Sequence, residues 1–212
     1  MKLLKSSLFL LCCSLLFSFA AIAQEEEAKL GDIDLTFLQG QTKLNIQYSY
    51  DNMMVGEKTE ADYRKDKIAK FDEKEPGKGA RWEKNWVNAR QLAYQPMFEE
   101  LFGKTITKED GNLIANEDVK DAKYTMLVHT IFTEPGFNAV VMKKNPYCIF
   151  EISWIDNATG KVVAKATNLK AAGVLFGGSE FDFDPANSIK ECYAKVGKVL
   201  GKATARGLKG KK

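Results

Sequence analysis

The sequence predicts an α+β fold, with an antiparallel-rich sheet of about 4–5 strands, helices packed mainly on one face and a long C-terminal helix. Three observations predict it. Alternating apolar and polar side chains mark one strand. Two apolar runs flank a turn, as in a hairpin. Further segments carry apolar residues at helical spacing. Composition agrees with a folded domain. Of 212 residues, 45% are hydrophobic, 11% aromatic and 28% charged, which is enough apolar material for a core and too much for a disordered chain. The formal charge of +3 is too small to argue for nucleic acid, and no nucleic-acid partner is expected.

The clearest strand covers 43–50, where Leu44, Ile46, Tyr48 and Tyr50 alternate with Lys43, Asn45, Gln47 and Ser49. Residues 59–71 read as a surface helix, capped by Thr59 with Asp62 three residues on. Its apolar content, Tyr63, Ile68 and Phe71, is thin. After a turn at Glu75-Pro76-Gly77, a longer helix is expected from Ala80 to about Tyr94. Trp82, Trp86, Ala89 and Ala93 fall on one stripe of it. Pro96 is expected to break or restart that helix, and Phe98, Leu101 and Phe102 to anchor a last turn ending at Gly103.

Residues 124–133 form a second strand. Tyr124, Met126, Val128 and Phe132 share one face, and Leu127 and Ile131 the other, so a central strand covered on both sides is expected. Residues 137–142 read as a short edge strand. A hairpin joins 147–155 to 161–169 around Asp156-Asn157-Ala158-Thr159-Gly160. Asp184 then caps a helix that starts at Pro185 and runs to about Leu208. Ile189, Tyr193, Val196, Leu200 and Ala203 make its buried stripe. Gly197 and Gly201 cost a helix about 1 kcal/mol each relative to alanine, so they point to close approach of a sheet or a partner helix.

The first 23 residues belong to targeting, not to the fold. Lys2 and Lys5 precede an apolar run over 8–23 that ends in Ala21-Ile22-Ala23, the pattern of a secretory signal peptide cut after Ala23. The acidic Gln24-Glu25-Glu26-Glu27 that follows favours cleavage over a membrane anchor. Residues 24–41 then read as a flexible N-terminal arm and 42–212 as a single domain. A periplasmic or secreted location is expected, with no integral membrane segment after cleavage. Removing residues 1–23 takes two lysines and no acid, leaving 29 basic and 28 acidic residues. It also leaves two cysteines, Cys148 and Cys192, a candidate disulfide in an exported chain, or else two buried thiols.

Charge is unevenly placed. From Pro185 on, eight basic residues face Glu191 alone, so this segment carries +7 while 24–184 carries −6. Lys195, Lys198, Lys202 and Arg206 lie along one side of the last helix, where they could meet an anionic envelope component or a protein, or be a solvated face. Trp82, Trp86 and Arg90 share a stripe that could hold a sugar ring or a cation, although at core spacing such aromatics are more often core. Glu99 and Glu100 are carboxylates that a glycan-active site could use. Glu180, Asp182 and Asp184 lack the spacing of a calcium loop. One histidine, His129, argues against most zinc sites and against a triad hydrolase. No catalytic constellation, metal site or cofactor is expected.

From residue 119 on, the order of motifs resembles a known group. Ala122-Lys123-Tyr124 enters an apolar strand, and a second is closed by Asp156-Asn157-Ala158-Thr159-Gly160-Lys161-Val162-Val163. A glycine-rich loop and a long terminal helix follow. This resembles the α/β domain of Gram-negative envelope proteins around the TolB amino-terminal domain and the curli-secretion lipoprotein. The resemblance implies envelope assembly or binding, and it offers no functional residues to carry over. The chain departs from the group in having no lipobox cysteine and in its helical stretch over 59–102. The expected function is therefore that of an exported, non-catalytic binding or envelope-assembly accessory protein. The alternative is a secreted glycan-binding or glycan-active protein using Trp82 and Trp86.

Overall fold

The computed structural model describes residue 28 and residues 30–138, 143–175 and 185–211. The proposed signal peptide, the Asp184 cap and the Glu180–Asp182–Asp184 cluster lie outside these residues. No described helix is long and apolar enough to cross a membrane.

The alternation over 43–50 becomes strand β1 (Lys43–Ser49). Two short strands, β2 (Met54–Val55) and β3 (Lys58–Thr59), make a tight hairpin after it. Helix α1 (Glu60–Asp72) starts where expected, because the Thr59 hydroxyl accepts the Asp62 N–H at 3.1 Å. Helix α2 (Lys78–Ala89) passes through a π turn (Arg90–Tyr94) into α3 (Gln95–Lys108). Pro96 therefore does not end the helix. The wider turn before it accommodates a residue that has no N–H to give, and α3 continues past Gly103 to Lys108.

The remaining strands are β4 (Ile114–Asn116), β5 (Tyr124–Glu134), β6 (Phe137–Asn138), β7 (Lys143–Lys144), β8 (Tyr147–Asp156) and β9 (Val162–Ala172). Helix α4 (Pro185–Leu208) closes the chain. Strand β5 is central to a seven-stranded sheet. Along one side it pairs with β8, and β8 with β9. Along the other side it pairs first with β1 and then with β2.

The sheet is mixed, which corrects the antiparallel-rich expectation. The hairpin β8–β9 and the β5–β8 pair are antiparallel, but β1 runs parallel to both β5 and β4, and β2 runs parallel to β5. The cause is the helical stretch between β1 and β4. A chain that leaves one end of a strand and crosses back over a helix re-enters in the same direction.

One face of the sheet is covered by α3 and α4, which lie side by side. On that face Leu44, Ile46, Met126, Val128, Cys148, Phe150, Ile152 and Trp154 are fully buried. Leu127, His129, Glu151 and Ser153 on the opposite face are only half-buried, so β5 is not covered on both sides as its apolar pattern suggested. A bulge between Thr130 and Phe132 also rotates Phe132 onto this second face, where it stacks on Tyr147 at 5.3 Å.

The arm expected over 24–41 is docked in its described part. Leu35 and Leu38 are enclosed in the core and a short 3-10 turn (Thr36–Leu38) lies against α4. Phe37 meets Tyr124 edge-on at 5.0 Å.

Candidate functional site

Helix α4 is held on several sides, and the glycines show how closely. A Cβ on Gly197 would sit 2.4 Å from the Phe98 carbonyl oxygen, and one on Gly201 would sit 2.8 Å from that of Phe102. The partner that the two glycines require is therefore α3. Near the end of the helix a Cβ on Gly207 would meet the Leu35 carbonyl oxygen at 2.4 Å. On the sheet side Tyr193 meets Phe150 edge-on at 5.0 Å, and its hydroxyl shares a 2.7 Å hydrogen bond with Thr130.

What remains in solvent is a single narrow ridge. Lys198, Lys202 and Arg206 are exposed, whereas Val196, Leu200, Ala203 and Ala205 beside them are buried. No ion pair forms on these three cations among the described residues. Lys195 is half-buried and engaged in an interaction, and Lys209 donates to the Glu109 carbonyl. Of Lys195, Lys198, Lys202 and Arg206, the last three are exposed and free of ion pairs among the described residues. At its far end Arg206 lines an open cleft of about 560 Å³ together with Leu30, Asp32, Ile33 and Asp34. Asp34 already accepts from the Thr36 N–H and hydroxyl. Asp32 is exposed.

Trp82, Trp86 and Arg90 do not form an open stripe. Trp82 and Trp86 stack on each other at 5.7 Å and are capped by α1, with Tyr63 5.3 Å from Trp86 and Phe71 5.8 Å from Trp82. The Trp86 indole N–H donates to Glu60 Oε1 at 2.8 Å, and Arg90 pairs with the same carboxylate. The Arg90 guanidinium also lies 4.1 Å over the Tyr50 ring. These residues clamp α1 onto α2. The sequence reading missed Glu60, Tyr63 and Tyr50, because nothing in their spacing says that a polar surface helix will fold over the tryptophan stripe.

The two carboxylates of the glycan reading diverge. Glu99 is half-buried, and burial and the neighbouring Glu117 hold its pKa above the usual carboxylate range, while the Tyr48 hydroxyl donates to it at 3.4 Å. Glu100 pairs with Lys104. His129 donates its Nε2–H to the Asp51 carbonyl at 2.8 Å, while the Ser49 hydroxyl donates to the Asp51 carboxylate. The serine proton is thus directed away from the imidazole. The side chain of Asn157, in the β8–β9 turn, donates to the Ala122 carbonyl and accepts from Thr125, both at 2.7 Å. Among the described residues no group of His, Cys, Asp and Glu side chains could hold a metal ion.

Cys148 on β8 and Cys192 on α4 are free, fully buried thiols. Burial pushes the Cys192 thiol up, and the adjacent Cys148 sulfur adds to the rise. The absence of a side chain at Gly173 makes room here, since its Cβ would lie 2.3 Å from the Ser188 carbonyl oxygen and 3.2 Å from the Cys192 sulfur.

No family model and no curated protein matches the chain. Among solved structures, the chain is similar to the PelC dodecamer from Paraburkholderia phytofirmans at 13% identity, over 74% of this chain and 87% of that one, with a TM-score of 0.35. It is also similar to a DUF330 protein from Xanthomonas campestris at 12% identity, over 79% of this chain and 85% of that one, with a TM-score of 0.35.

Proposed function

We propose that this protein is an exported, non-catalytic binding module of the cell envelope, and that it engages an anionic envelope component through the ridge on α4. The single observation that carries the reading is the row of three exposed cations, Lys198, Lys202 and Arg206, without acid partners among the described residues, on a helix otherwise packed into the fold. A cation that is solvated and unpaired has little to lose on meeting an anion, and three in a row add their fields. The signal-peptide pattern over 1–23 supplies the location, and the resemblance to envelope proteins points the same way. The tryptophan-based glycan reading has less support, because Trp86 and Arg90 are already committed to Glu60.

Co-sedimentation with isolated Gram-negative cell envelopes tests the reading. The wild-type chain sediments with the envelopes at low salt and is released at high salt. The triple variant K198E/K202E/R206E stays in solution at both. Equal sedimentation of the two proteins contradicts the assignment.

A further inference from the structure

The shape of the ridge bears on what kind of anion it meets. Residues four apart on a helix are separated by about 6 Å along its axis, so Lys198, Lys202 and Arg206 form a file about 12 Å long. The file is one residue wide. Of its neighbours on the helix, Val196, Leu200 and Ala203 are buried, and Val199 is half-buried against the core, which leaves little apolar surface for a bilayer. None of the large exposed apolar residues among those described (Met54, Val87, Leu92, Ile114, Phe137, Val162 and Val163) lies on α4. Insertion into lipid needs such groups beside the charges, and tight protein interfaces need buried aromatic or apolar anchors. A thin line of charge with neither suits a thin line of opposite charge.

The end of the file adds chemistry. In the cleft at Arg206, Asp32 stands exposed within the same lining. The Asp32 carboxylate accepts hydrogen bonds from hydroxyl groups, which every unit of a sugar chain carries. Arg206 offers its planar donors to a carboxylate beside it. Cation and hydroxyl acceptor together suit a polymer that carries both carboxylates and hydroxyls.

Resting on the binding reading above, we infer that the partner is a linear acidic polysaccharide, bound along Lys198, Lys202 and Arg206 with a sugar unit seated between Arg206 and Asp32. The attraction is mainly electrostatic and is screened by salt.

The test is fluorescence anisotropy of the full exported chain with labelled oligogalacturonate. Neutral dextran, single-stranded DNA and phosphatidylglycerol vesicles serve as comparisons, and circular dichroism confirms that each variant folds. Oligogalacturonate binds, dextran does not, and K198E/K202E/R206E weakens binding by about tenfold or more. D32N also weakens it, although this change removes a negative charge. Ridge-dependent binding of DNA or vesicles in place of oligogalacturonate overturns the polysaccharide assignment and leaves the binding reading standing. Tighter oligogalacturonate binding by D32N overturns the seat at Arg206. If the triple variant binds every anion as the wild type does, both readings fall.

Discussion

Cys148 and Cys192 face each other across the junction of β8 and α4, enclosed on all sides, with the Cys192 thiol held in its protonated form by burial and by its neighbour. A protonated, enclosed thiol is a poor nucleophile. In the native protein both should therefore react slowly with iodoacetamide, and both should react fully in urea.

The same proximity predicts that an oxidant able to reach the pair can bridge it. Refolded from urea with oxidised glutathione, the two thiols should lose their hydrogens to the glutathione disulfide, which leaves as two reduced glutathiones, and the chain should become lighter by two hydrogens. The loop closed is about 45 residues long, so the oxidised form should gain up to about 4 kcal/mol over the reduced form. Mass spectrometry and denaturant titration with and without reductant check this. Mixed glutathione adducts without a bridge would show that the sulfurs cannot reach bonding geometry.

The packing of α4 on α3 gives an opposed pair of glycine substitutions. Gly197→Ala places a methyl group 2.4 Å from the Phe98 carbonyl oxygen and should destabilise by about 1–3 kcal/mol, despite the better helix propensity of alanine. Gly103→Ala, on α3, has nothing within 4 Å of the new methyl group and should stabilise by up to about 1 kcal/mol. Urea denaturation midpoints should move in opposite directions.

Glu60 receives both the Trp86 indole and Arg90, and all three are largely enclosed. Glu60→Ala leaves the two donors without their acceptor and should cost about 1–3 kcal/mol. The loss should appear as faster hydrogen exchange across α1 and a red-shifted tryptophan emission. An unchanged exchange pattern would mean that α1 is held by the aromatic stack alone.

Glu99 predicts a pH effect with a definite sign. Its pKa is raised in the folded state by burial and by Glu117. Its contribution is therefore fully present at pH below the unfolded carboxyl range and is lost as the pH rises through the raised value. Glu99→Gln should be more stable than the wild type at neutral pH, by about half a kcal/mol or less for a half-exposed group, and equal to it in acid. Thermal melts at several pH values read this difference.

The parts of the fold legible in the sequence are those specified by neighbours along the chain. The alternation of β1, the Thr59 cap, the β8–β9 turn at Asp156–Gly160 and the start of α4 at Pro185 all depend on residues within a few positions. The parallel register of β1 with β5 was not legible, because it depends on how a helical excursion of some sixty residues returns. The bulge that turns Phe132 over was hidden by a strand apolar on both sides, which looks alike in either register. For the site, the basic row on α4 could be read from spacing. The occupation of the tryptophan stripe by Glu60 and Tyr63 could not, since both come from a separate helix more than twenty residues earlier in the chain.

The central claim is that Lys198 and Lys202 are the contact surface of the protein. Lysine acetylation rates, read residue by residue by mass spectrometry with and without isolated Gram-negative envelopes, test it directly. Envelopes should slow the modification of Lys198 and Lys202 while Lys65 and Lys74, exposed on and just after α1, react as before. Unchanged rates at Lys198 and Lys202, or protection centred on α1, would contradict it.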